Sequence, residues 1–169
     1  MDEKTLEDLK SAFAGESQAN RKYLAFSKKA ADEGFKGIAL LFKAIAEAET
    51  VHALNHLRLF GVGTTVENLK AAIQGENYEV TTMYPTFKAD AEKANEKAAI
   101  QSINGALEAE KLHERLYIEA LQKAMDNKDL DVKKVSVCSI CGYTVIGDAP
   151  DNCPVCKAKK ALFKIIDKL

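Results

Sequence analysis

The chain has 169 residues: 47% hydrophobic, 29% charged and 7% aromatic, with no Trp and three Pro. This composition excludes a disordered or collagen-like chain, and the length suits one domain or one with a small appendage. The net charge of −1 gives no bulk attraction to nucleic acid or an anionic membrane, and no apolar run approaches the ~18 residues that span a bilayer. The N-terminus, MDEKTLEDLK, is acidic and amphipathic, unlike a secretory signal. Four Cys are too few for a disulfide scaffold, and paired CxxC in a cytosolic setting reads as a metal or redox site. The expected location is the cytoplasm.

From Thr5 to Asp32, the positions Leu6, Leu9, Phe13, Ala19, Tyr23, Phe26 and Ala30 recur at helical steps. Gly34 ends this segment. A second helix is expected from about Phe35 to Phe60, then a break at GVGTT, with Thr64 or Thr65 as N-cap. Leu69, Ala72 and Ile73 suggest a short helix ending near Gly75. A third long helix is expected from about Glu76 to Ala94 and a fourth from about Glu96 to Met125. Pro85 should kink the third or force a wider turn, bringing Tyr84 towards the face of Glu79. The long interval between the second and third helices suggests a crossover, as in ferritin-type four-helix bundles. DNKDLDVKK at 126–134 reads as a linker. The C-terminal segment from Val135 is rich in Val, Cys, Pro and Gly and has no helical stripe. The expected domains are therefore 1–133, a helical bundle, and 134–169, a small metal-knuckle module.

An internal repeat organises the bundle. EAETVH at 47–52 returns as EAEKLH at 108–113, an offset of 61 residues. Glu16 precedes Glu49 by 33 residues, and Glu76 precedes Glu110 by 34. The apolar stripe of the second helix continues through Glu49 and His52; that of the fourth continues through Glu110 and His113. The spacing of three in each E-x-x-H puts both side chains on one face. Glu16 shares the face of Leu9 and Phe13, and Glu79 lies one turn beyond Glu76. Unpaired buried carboxylates cost several kcal/mol each, and no matching Lys or Arg lies on these stripes. Two metal ions, of iron or manganese, answer this charge, and one Glu on each of two helices with Glu-x-x-His on the other two is the di-metal carboxylate pattern. His56, one turn past His52, is expected outside the ligand set. Tyr23 and Tyr84 could pack in the core or donate hydrogen bonds near the metals.

Cys138-x-x-Cys141 and Cys153-x-x-Cys156 form two knuckles with the spacing of a tetrahedral four-thiolate site. Spacing alone leaves zinc and iron open. CGY at 141–143 and APDNCPVC at 149–156 resemble rubredoxin knuckles, which favours iron, with zinc as a possible substitute. In rubredoxins, backbone N–H groups can hydrogen-bond the sulfurs. Lys157 departs from the Gly usual in free-standing rubredoxins.

Together, GES at 15–17, EAETVH, GENYEV with MYP after it, EAEKLH, CSICGY and CPVC resemble the rubrerythrin family over essentially the whole chain. The resemblance implies a mainly α, ferritin-like di-iron bundle with a C-terminal rubredoxin-like domain. It implies a non-haem peroxidase that reduces hydrogen peroxide to water in oxidative-stress defence. Glu49 and Glu110 would bridge the irons, which carry an oxo or hydroxo bridge when oxidised. Glu16 would bind one iron, and Glu76 and His113 the other. Glu79 and His52 would exchange on the first iron with redox state. Cys138, Cys141, Cys153 and Cys156 would hold the third iron, which relays single electrons. With no G-x-G-x-x-G loop in the chain, NAD(P)H would act through a separate reductase or rubredoxin. The bundle and the Cys module are expected some distance apart within one chain, with one subunit's module approaching the other's site in a homodimer. Alternatives are a ferroxidase or iron-handling protein, and an inert bundle tipped by a zinc ribbon.

Overall fold

A computed structural model describes residues 1–168. The chain packs as two compact units, residues 1–62 and residues from Gly63 onward. The first unit is a helical hairpin of α1 (Glu3–Asp32) and α2 (Lys36–Leu57). Asp2 caps α1 by accepting from the Thr5 N–H. The turn after α1 uses Gly34 at φ 88°. There the Phe35 N–H reaches the Ala30 carbonyl at 2.8 Å and the Gly34 N–H reaches Ala31 at 3.0 Å, a Schellman closure. Small residues, Ala30, Ala39, Ala46 and Ala53, are buried and let the helices approach.

The second unit begins with α3 (Thr65–Tyr78). The Thr64 side chain accepts from the Glu67 N–H, and the Glu67 carboxylate accepts from the Thr64 N–H, a capping box. Contrary to the sequence reading, no helix ends at Gly75. Helix α3 runs past it, through a π-helical turn at Glu79–Met83, into α4 (Tyr84–Lys93). The separate short helix and the crossover expected from the interval reduce to the stretch from Arg58 to Thr64. A Gly inside a helix costs about 1 kcal/mol. Packing of α3 on α5 (Lys97–Met125) offsets this, aided by the 2.8 Å bond from Asn77 to Glu114. The wide turn expected before Pro85 is present.

The α4–α5 turn repeats the α1–α2 turn. Asn95, at φ 56°, takes the role of Gly34, with Glu96 N–H bonded to Ala91 O at 3.0 Å. Gly34 and Asn95 are 61 residues apart, the offset of His52 and His113. Glu16 and Glu76 are only 60 apart. The second copy therefore holds one extra residue between Glu76 and Asn95. A π turn is how a helix absorbs a single added residue, and the π turn lies in that interval.

Beyond α5 lies a three-stranded antiparallel sheet in the order β2-β1-β3: β1 is Val135–Cys138, β2 Thr144–Ile146 and β3 Phe163–Ile166. Val135 pairs with Ile146 on one side and with Ile166 on the other. Buried Cys138, Cys153 and Ser136 form the centre of this module. Among the described residues no helix is long and apolar enough to cross a membrane.

Candidate metal centres

In the first unit, Glu16 from α1 and Glu49 and His52 from α2 bring ligand atoms within 4.8 Å of one another. His52 Nδ1 lies 2.9 Å from Glu49 Oε2, and the His52 side chain is 55% exposed. One turn beyond Glu16, buried Asn20 donates from Nδ2 to Ala46 O at 2.6 Å and to Thr50 Oγ1 at 2.8 Å. This bond pair fixes the register of α1 on α2 beside Glu49, so the two carboxylates meet. Tyr23 packs against Phe26 and Phe42, with ring centroids 6.2 Å away in each case. His56 belongs to none of the candidate groups.

In the second unit, Glu76 from α3 and Glu110 and His113 from α5 form the equivalent group. His113 Nδ1 lies 2.6 Å from Glu110 Oε2 and 4.0 Å from Glu76 Oε2. Glu76 Oε2 is buried without a hydrogen-bond partner, and an orphaned buried oxygen needs a proton or a cation. Burial, and then repulsion from Glu110, push the Glu76 carboxyl up to about 8, with Glu79 and Glu114 adding to it. Burial, and then Glu110, also raise Glu79, while His113 opposes them. The Tyr84 hydroxyl is held protonated by burial and by the charges of Glu79, Glu110 and Glu76. A set of this kind, rich in carboxylate oxygen with one imidazole and no basic partner, fits a hard-to-borderline metal cation such as iron.

The four cysteines are free thiols whose ligand atoms lie within 4.8 Å of one another. Cys138 and Cys156 sulfurs are 3.5 Å apart, and those of Cys141 and Cys153 3.6 Å. A tetrahedron with metal–sulfur bonds of about 2.3 Å has edges of about 3.8 Å, so the cage fits one metal with little movement. Burial pushes the Cys141 and Cys156 thiols up. Backbone N–H groups of Ile140 and Cys141 point at Cys138, that of Tyr143 at Cys141, and that of Ala158 at Cys156. Amides in these places are the ones expected to support the sulfurs of a rubredoxin-type knuckle. The left-handed turn that closes the first knuckle falls on Gly142, at φ 80°; its counterpart in the second is Lys157, at φ 63°.

The expected separation of the Cys module from the helical site within one chain is not what the structure has. His113 Nε2 lies 2.9 Å from Thr144 Oγ1 and 3.2 Å from the Gly142 carbonyl. The knuckle loop thus rests on the ligand helix of its own chain. The missing side chain of Gly105 eases this: a Cβ there would stand 3.3 Å from Cys141 Cβ, whereas one at Gly142 would make an ordinary contact, 3.8 Å from Ala109 Cβ. Gly105 and Thr144 escaped the sequence reading as contributors to the sites. A Gly in the middle of a helix was the available signal for Gly105.

Sequence comparison agrees with this geometry. The family model described as Rubrerythrin matches residues 7–121, and that of the rubrerythrin rubredoxin-like domain matches residues 137–164. The chain is 37% identical to Rubrerythrin-2 of Clostridium acetobutylicum, over 95% of each chain. It is 35% identical to nigerythrin of Nitratidesulfovibrio vulgaris, covering 94% of this chain and 85% of that one. Among solved structures, nigerythrin in its fully reduced, all-ferrous state is 34% identical. That match covers 96% of this chain and 86% of the other, with a TM-score of 0.55. The chain therefore belongs to the rubrerythrin family: a ferritin-like di-iron protein with a rubredoxin-like four-cysteine iron site.

Proposed function

We propose that the protein is a peroxidase that reduces hydrogen peroxide to water in oxidative-stress defence. The observation that carries this reading is the knuckle loop seated on His113. A bundle that only oxidises and stores iron has no use for a one-electron donor against a ligand histidine. When bound, the iron pair would supply two electrons to the O–O bond, and iron held by the four cysteines would return them singly.

The proposed ligands of the pair are Glu16, Glu49, His52, Glu76, Glu79, Glu110 and His113. Cys138, Cys141, Cys153 and Cys156 hold the relay. Glu79 and His52 would be the ligands that exchange with redox state. Tyr84, kept protonated beside three carboxylates, would order them by donating a hydrogen bond, and Tyr23 would serve the other group. The carboxylates pass the protons that water formation needs. The electrons come from NAD(P)H through a separate reductase or a rubredoxin. The functional domains divide at 133/134, and two CxxC knuckles built to hold a metal suit the reducing cytoplasm.

The working unit in this reading is a homodimer. The face of α2 that carries Glu49 and His52 also carries Ile38, Leu41 and Ile45, all exposed. Such an apolar stripe beside a group of candidate metal ligands calls for a covering partner.

The test is to reduce the iron-loaded protein anaerobically and mix it separately with hydrogen peroxide and with oxygen. Faster oxidation of the di-iron centre by peroxide is expected. Faster oxidation by oxygen would make the protein a ferroxidase.

A further inference from the structure

We propose that Thr144 is a positioning residue for the metal ligand His113, holding its proton on Nε2 so that Nδ1 offers a lone pair to iron. This rests on the di-iron reading of the helical site.

Three hydrogen-bonding groups meet at the outer edge of the ring. The Gly142 carbonyl can only accept, and it faces two groups: the Thr144 hydroxyl at 2.9 Å and His113 Nε2 at 3.2 Å. The single hydroxyl proton of Thr144 goes to that carbonyl. The Thr144 oxygen is then left to accept from His113 Nε2 at 2.9 Å. Both partners of Nε2 therefore require an N–H there. If the Thr144 proton pointed at the ring instead, the carbonyl would have two close polar neighbours and a proton from neither.

This assignment is contested from the other side of the ring. Glu110 Oε2 stands 2.6 Å from Nδ1, and a carboxylate at that distance favours a proton on Nδ1. A proton on Nδ1 blocks the atom that faces Glu76 and Glu110. The Thr144–Gly142 pair opposes this tautomer, and it comes from the cysteine module rather than from the bundle. The rubredoxin-like domain thus supplies the outer hydrogen bond that orients a ligand of the other metal site. Outer partners of this kind are worth roughly 10–100-fold in metal affinity.

The test uses the full chain. Ferrous iron is titrated anaerobically against a competing chelator, into wild type, Thr144→Val and Thr144→Ser. Val suits the strand and keeps the shape; Ser keeps the hydroxyl. The expected result is binding to the carboxylate–histidine site weakened roughly tenfold or more in Thr144→Val, and restored in Thr144→Ser. The thiolate-to-iron bands should be the same in all three. Independently, nitrogen NMR of the wild-type protein loaded with diamagnetic zinc should show His113 protonated at Nε2 and bare at Nδ1. Equal iron affinity in Thr144→Val and wild type, failure of Ser to restore it, or a proton on Nδ1 in wild type would overturn the proposal. If wild type takes up no iron outside the four-cysteine site, the di-iron reading itself fails, which is a distinct outcome.

Discussion

Glu79 is the residue that most sharply separates a working site from a generic one. It opens the π turn, one helical turn after Glu76, and its carboxyl is raised by burial and by Glu110. In Glu79→Ala, peroxide turnover should fall roughly tenfold or more, as for loss of a metal ligand or its close support. The visible bands of the thiolate-bound iron should stay unchanged. Coupled peroxidase assays with absorption spectra check both, and wild-type rates would remove Glu79 from the mechanism. The candidate ligands were legible because E-x-x-H recurs on apolar stripes where a charged side chain has no ordinary reason to be. Thr144 was not legible, because its role depends on which helix the knuckle loop meets. Lys157 was legible only as an oddity. The structure gives it a left-handed backbone like that of Gly142, at the usual cost of about 1–2 kcal/mol for a residue with a side chain, and its Nζ folds back on the Pro154 carbonyl at 2.9 Å.

Among the elements, the α1–α2 hairpin depends on a polar tie inside an apolar seam. Asn20 is buried and bonds across to α2 at Ala46 and Thr50. In Asn20→Ala, Thr50 Oγ1 still reaches Ala46 O at 3.2 Å, so one acceptor stays satisfied. The expected destabilisation is therefore about 1–2 kcal/mol, read as a lower urea midpoint, with weaker iron uptake by the Glu16 group. An unchanged midpoint would mean the tie contributes nothing. Periodicity revealed the helices themselves, including both Glu-x-x-His faces, because amphipathic stripes show directly in the chain. It misjudged Gly75, because a local breaker was weighed without the packing of α3 on α5 that overrides it. It anticipated the wide turn before Pro85, since a missing N–H and a ring clash are local facts.

For the whole molecule, the exposed apolar stripe of α2 sets the expectation. Ile38 is 50% and Leu41 59% exposed on the face that bears Glu49 and His52. Analytical ultracentrifugation of the iron-loaded protein should give twice the chain mass of 18.5 kDa. Leu41→Glu should lower both the dimer fraction and the iron held outside the four-cysteine site, leaving the thiolate bands intact. A monomer carrying its full complement of iron would contradict this. Assembly was the least legible level of the sequence, since a stripe that faces a partner and a stripe that faces its own core read alike.

The π turn has a consequence at this scale. Two identical copies of one helix pair would build a centre with interchangeable halves. The second copy spends one added residue between Glu76 and Asn95, and with it gains a carboxylate at position 79, where the first copy has Gln18 or Ala19 at the corresponding place. A single inserted residue thus makes the second carboxylate–histidine group unlike the first.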